Sequence, residues 1–196
     1  MEKFVFAAFF LAFLLLAGCI SSVDTTPSAQ PSALSDADAN QGTVANSLPS
    51  SETAGWKSIS LTDIGTGNSF KVSDFTGKAV VLESFAVWCP VCLEQQKEIK
   101  KLKDSEGDSF VAVSVDTDPN EDTARVREHI ARNGFGWHYA VSPAEMTQAL
   151  ISEFGLTVVN APSAPVILVC EDQSARFLRN GVKTAEDLKN EIEAGC

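Results

Sequence analysis

Hydrophobic positions fall into three regimes along the chain. Phe4 to Ala17 form an unbroken apolar run, while Ile20 to Ala54 carry Ser, Thr, Ala and Pro with no aromatic residue. From Trp56 onward, apolar residues gather in short clusters separated by turn-forming residues. Ile59, Leu61, Phe70 and Val72 lie in two alternating runs around Asp63-Ile64-Gly65-Thr66-Gly67-Asn68, which predicts a β-hairpin. Ala79 to Ala86 is nearly all apolar, as a strand covered on both faces requires, and Phe110 to Val115 reads the same way. Helical spacing marks Pro90 to Lys103, Glu121 to Asn133 ending at Gly134, and Pro143 to Phe154 ending at Gly155. Pro165 to Val169 and Ala175 to Arg179 read as strands around a polar turn, and Thr184 to Glu193 as a closing helix. Strands alternating with helices, then a final hairpin, predict an α/β domain whose mixed central sheet is flanked by helices.

The first regime reads as a targeting segment. Its apolar run is shorter than the ~20 residues that span a bilayer and suits the core of an export signal. It ends in Leu16-Ala17-Gly18-Cys19, which resembles the lipobox of lipoprotein signal peptides. That resemblance implies cleavage after residue 18 and a lipid on Cys19, an anchor worth about 0.8 kcal/mol per buried CH₂. An uncleaved short membrane helix with an incidental Cys is the other reading. Both place the rest of the chain outside the cytoplasm, at the cell membrane. Residues 19–55 have too little apolar surface to offset chain entropy and read as a flexible tether or a glycosylated stalk. Residues 56–196 then form one domain.

Charge changes the picture by exclusion. The net charge of −11 and pI near 4.6 argue against a nucleic-acid partner, since phosphate neutralisation needs clustered Lys and Arg.

The chemistry is concentrated in Trp88-Cys89-Pro90-Val91-Cys92. Two Cys separated by two residues, where a buried strand meets a helix, match a redox dithiol. Cys89 caps the helix start, and Pro90 suits the first helical position because its missing N–H would have been unpaired anyway. Unpaired amides and the helix dipole stabilise a thiolate at Cys89 and make it the nucleophile. Cys92, one turn later on the inward face, resolves the mixed disulfide, so the order of roles follows from exposure. Glu83 interrupts the apolar strand six residues before Cys89. A buried carboxyl there has a raised pKa and exchanges protons with the resolving thiol, unless it reaches solvent or a Lys. Pro165 opens a late strand. On its own it reads as an ordinary trans proline, since X–Pro bonds are cis only about 5–6% of the time.

These pieces together resemble a thioredoxin-fold protein of the TlpA/ResA type, the membrane-tethered thiol–disulfide oxidoreductases. The resemblance is carried by Phe75-Thr76-Gly77-Lys78, Phe85 to Cys92, Val113-Ser114-Val115-Asp116, Phe154-Gly155-Leu156 and Pro165-Val166-Ile167-Leu168. It implies a thioredoxin-like fold with an N-terminal β-hairpin extension, and a cis-proline at Pro165 beside the dithiol. It also implies a buried acid at Glu83 and a substrate-facing edge at Trp88, Ala164 and Pro165. Val91 stands where many relatives have Pro, and Gln95 where many TlpA-type proteins carry Glu. No cofactor beyond the Cys89–Cys92 pair is implied. Partners would be protein thiols or disulfides and a separate redox partner, with the protein itself a monomer.

The rival reading is a metal site, such as a copper-delivery module of the same fold. It needs a third donor beside Cys89 and Cys92. His129 reads as a helix-surface residue and His138, in Gly136-Trp137-His138-Tyr139, as packing between aromatics. Copper-delivery relatives also usually space their Cys by three residues. Two Cys remain. In a thioredoxin-like fold Cys170 and Cys196 fall at the same pole of the sheet, which predicts a structural disulfide permitted by export. The alternative is two unpaired thiols, Cys170 buried and Cys196 at a frayed terminus.

Overall fold

The structure, a computed structural model, describes residues 55–196. The expected signal segment 1–18, the expected lipidation position Cys19 and the expected linker up to residue 54 lie outside the described residues. The centre of the domain is β3 (Val80–Phe85), whose six residues are all buried. On one side it pairs in parallel with β4 (Val111–Asp116), and β4 pairs in parallel with β5 (His138–Val141). On the other side it pairs antiparallel with β6 (Val166–Val169), and β6 with β7 (Ala175–Phe177), giving the order β5-β4-β3-β6-β7. Glu83 thus sits mid-sheet, opposite Ser114 on β4 and Val166 on β6.

Four helices cover the sheet, and their ends follow local chemistry. Helix α1 (Pro90–Glu106) runs a turn past Lys103 and stops at Gly107. Helix α2 (Thr123–Asn133) starts two residues later than the periodicity predicts, because Asp122 accepts the Arg125 N–H as its cap. It ends at Gly134, whose φ of 65° is a left-handed position suited to Gly. Helix α3 is Ala144–Phe154, and α4 (Ala185–Ala194) opens with a reciprocal Thr184/Asp187 capping box. Ile99 and Leu102 of α1 pack with Val81, Leu168 and Leu188 on one face of the sheet. Met146 and Leu150 of α3 pack with Leu82, Val113 and Ile167 on the other. Each fully buried side chain of this kind contributes roughly 2 kcal/mol.

Strand β5 was not predicted, since Gly136-Trp137-His138-Tyr139 reads as aromatic packing. The hairpin explains its place. It is short, β1 (Leu61–Thr62) with β2 (Ser69–Phe70), and Val72 belongs to a 3₁₀ turn beyond it. Its loop docks on β5 through the Ile64 N–H to the Tyr139 carbonyl (2.8 Å) and Asp63 Oδ2 to His138 Nδ1 (2.7 Å). An otherwise open sheet edge is thereby covered. His138 does pack against aromatics, its ring 5.0 Å from Phe70 and 5.3 Å from Phe75. His129 corrects the expectation of a surface residue: it is buried, with Nε2 2.6 Å from Gln96 Oε1.

At the pole where β6 ends, Cys170 and Cys196 are bonded, with Cα atoms 5.9 Å apart. Arg176 of β7 holds the same terminus, donating to the carbonyls of Gly195 (2.9 Å) and Glu191 (3.1 Å).

Candidate active site

The chain leaves β3 at Phe85, turns through Ala86 to Trp88, and enters α1 with Cys89 as its N-cap. Pro90 takes the first helical position, and the Cys92 N–H donates to Cys89 Sγ at 3.2 Å. The sulfur of Cys89 therefore already receives an amide that would otherwise be unpaired. Cys92 Sγ donates instead to the Ala161 carbonyl at 3.2 Å. Both thiols are unbonded. Exposure does not separate their roles, which corrects the sequence expectation, because each residue is only 1% exposed. What separates them is environment. Burial, reinforced by the nearby Glu83 charge, pushes the Cys92 thiol well above its ordinary range.

Glu83 is fully buried and reaches no solvent. Its Oε2 accepts from Ser114 Oγ (3.0 Å), which in turn accepts the Trp137 indole N–H (2.9 Å). The Gln96 amide faces the carboxyl without closing a hydrogen bond. Burial pushes Glu83 up to about 8 from an ordinary 4.5, against the pull of Ser114, Gln96 and the Lys183 charge. This has a stability consequence. Between pH 4.5 and 8 the unfolded chain releases this proton and the folded chain keeps it, so stability falls as pH rises through that window. The ceiling on the slope is about 1.4 kcal/mol per pH unit. Glu83→Gln should therefore stabilise the protein by on the order of 2 kcal/mol near pH 7 and by almost nothing near pH 4. Denaturant unfolding at both pH values checks it; an equal gain at both would mean the carboxyl is ionised in the folded state.

The three predicted substrate-facing residues are placed differently. Trp88 is 56% exposed, its indole N–H held by Asp118 Oδ2 at 2.5 Å. Pro165 is buried, its carbonyl accepting the Ser84 N–H of β3 (3.2 Å), so it lies one strand from the dithiol loop. Ala164 departs from the expectation. It is fully buried at φ 46°, a left-handed conformation unusual for a residue with a Cβ. Its N–H donates to the Ala161 carbonyl (2.9 Å) and its own carbonyl accepts from Lys183 Nζ. Neither backbone group is offered outward.

Four residues around the site were not among the site residues expected from the sequence, although Asp116 and Gln95 were named in the comparison with TlpA-type proteins. Glu121, just before α2, accepts the Val87 N–H on Oε2 at 2.5 Å and so clamps the loop before Cys89. Asp116, at the end of β4, is buried and pushed up to about 7, first by desolvation and then by its acidic neighbours Glu121 and Asp118. Gln95 and Lys183 are both fully buried. The Gln95 amide bonds the backbone of Lys183 twice, accepting its N–H (2.8 Å) and donating to its carbonyl (3.1 Å). The Asp116 to Asp122 run was acidic enough to be seen as a cluster, but Lys183 stands in a polar loop where nothing local marks burial.

The fold has recognisable relatives. The Redoxin family model matches residues 43–193. A secreted Mycobacterium tuberculosis disulfide oxidoreductase homologous to Escherichia coli DsbE superposes with a TM-score of 0.54 at 15% identity, covering 71% of this chain and 97% of that one. A thiol:disulfide interchange protein of the thioredoxin family from Chlorobium tepidum gives 0.55 at 20%, covering 70% and 92%. StoA from Bacillus subtilis gives 0.53 at 19%, covering 67% and 93%. Among curated protein sequences none matches the chain. The family match over most of the chain, on a thioredoxin-like sheet that carries an N-capping Cys and a second Cys one turn on, means that this chain belongs to the Redoxin family and is a thiol–disulfide oxidoreductase.

Proposed function

We propose that the protein is a membrane-anchored, extracytoplasmic oxidoreductase of the TlpA/ResA type that exchanges its Cys89–Cys92 pair with the thiols or disulfides of other proteins. The observation that carries this is the pairing of Cys89 Sγ with the helix-start N–H of Cys92, beside a buried carboxyl at Glu83. In the reductive direction, Cys89 thiolate attacks one sulfur of a substrate disulfide. A Cys89–substrate bond forms, the substrate S–S bond breaks, and the departing thiolate takes a proton from solvent. Cys92 then gives up its proton, which Glu83 accepts when ionised, and attacks Cys89. The Cys89–Cys92 bond forms as the second substrate thiolate leaves, so two electrons pass from the dithiol to the substrate. The oxidative direction is the reverse. Anchoring through Cys19 is supported by the lipobox-like Leu16-Ala17-Gly18-Cys19, and the location by the secreted Mycobacterium relative.

Reduction of insulin by the full chain, alongside metal analysis of the same reduced sample, tests the reading. Catalysed insulin precipitation with a substoichiometric metal content is expected. Stoichiometric copper or zinc on Cys89 and Cys92, with no insulin reduction, would replace exchange by metal binding.

A further inference from the structure

Lys183 is the one fully buried lysine among the described residues. It lies between β7 and α4, yet the elements around it tie it to the dithiol from two directions. From α1, Gln95, three residues after Cys92, holds its backbone N–H and carbonyl. From the segment Ala161–Ala164, the Ala164 carbonyl takes its ammonium, and the Arg179 carbonyl takes it too at 3.2 Å. That same segment receives the Cys92 thiol three residues earlier, at Ala161. Resolving thiol and ammonium therefore share one short scaffold, which the Ala164 N–H to Ala161 carbonyl bond closes. A buried ammonium with only carbonyl acceptors is costly, and it lowers that cost by facing an anion.

We infer that Lys183 is a positioning residue for the second half of the exchange: its ammonium is the counter-charge for the thiolate formed at Cys92, and it sets how readily Cys92 attacks the mixed disulfide on Cys89. The charged and titratable groups facing it are Glu83 from β3, Cys92 from α1, Arg179 from the loop after β7 and Asp187 from α4. Arg179 opposes the ammonium and the other three favour it. Burial brings Lys183 down to about 8, so its charge is lost as the solution turns alkaline. In the balanced step, Cys92 releases its proton, the Cys89–Cys92 bond forms and the Cys89–substrate bond breaks. Lys183 keeps its own proton throughout and transfers nothing.

This inference rests on the dithiol reading, and one experiment separates the two. The full chain carrying Cys19→Ser, with Cys170–Cys196 oxidised, is mixed with Ellman's reagent. Attack by Cys89 releases a first thionitrobenzoate, and resolution by Cys92 releases a second. If the dithiol reading fails, both thiols retain thionitrobenzoate by mass spectrometry, whatever stands at position 183. If it holds, Lys183→Met should leave the first phase within about twofold. It should slow the second by about tenfold near neutral pH, with its pH midpoint raised by about one unit. Lys183→Arg should restore most of the rate. Should Lys183→Met prove too unstable, the comparison is made in the Glu83→Gln background, where the same slowing is expected because Lys183 acts on Cys92 itself. A second phase with unchanged rate and pH profile, in either background, would reduce Lys183 to a structural support for Ala164.

Discussion

Replacing Cys89 with Ser should abolish turnover, with insulin reduction falling by at least ~10³-fold, because no other described thiol is free to form the covalent intermediate. Replacing Cys92 with Ser should lower turnover as far but by a different route. The Cys89 sulfur keeps the amide at residue 92 as a donor, so the first attack survives and the reaction stalls there. The Cys92→Ser protein should accumulate partners as mixed disulfides on Cys89, visible on non-reducing gels and by mass spectrometry. The Cys89→Ser protein should capture none. Capture by the two variants in equal measure would mean that the hydrogen bond at the helix start does not distinguish nucleophile from resolver.

The second large effect is on stability. The Cys170–Cys196 bond closes a loop with a sequence separation of 26, for which the chain-entropy model gives about 3.5 kcal/mol. The double variant Cys170→Ser/Cys196→Ser should lose about that much in denaturant unfolding, and roughly 10 °C in Tm. Exchange by Cys89 and Cys92 at temperatures well below that Tm should persist, since the bond lies at the end of β6 opposite the dithiol. A loss under about 1 kcal/mol would mean that Arg176, through the Gly195 and Glu191 carbonyls, holds the terminus without the bond.

Much of this architecture was legible in the order of residues. The fully buried β3 wrote itself as an apolar run broken only by Glu83 and Ser84, and the charged one, Glu83, marked the site. Gly134 and Gly155 announced helix ends because their φ angles of 65° and 78° disfavour any residue with a Cβ. Pro90 and the two-residue spacing announced the dithiol. What could not be read depends on contacts across the fold. His138 to Val141 carries too few residues, with too polar a start, to declare itself a strand until β4 and the hairpin supply its partners. His129 and Gln96 look like the solvated faces of their helices, and are buried because they satisfy one another. Lys183 has the same logic, its burial resting on the Ala164 carbonyl nineteen residues before it together with the nearer Arg179 carbonyl. Exposure misled at Cys89, because a helix N-cap fixes backbone geometry but not what lies over it. Phe85, Tyr139 and Ala161 join it in one apolar cluster.

The position of Trp56 and Lys57 bears on how the enzyme meets its partners. The Trp56 indole donates to Glu153 at the end of α3 (2.8 Å), and Lys57 Nζ to the Gln173 carbonyl in the turn between β6 and β7 (2.5 Å). That turn follows Val169, which pairs with the first residue of β3, whereas the dithiol follows the last. The polypeptide thus enters the domain at the end of the sheet farthest from its reactive sulfurs. The dithiol end of the sheet is therefore clear of Trp56 and Lys57, and a partner that reaches Cys89 displaces neither of their contacts.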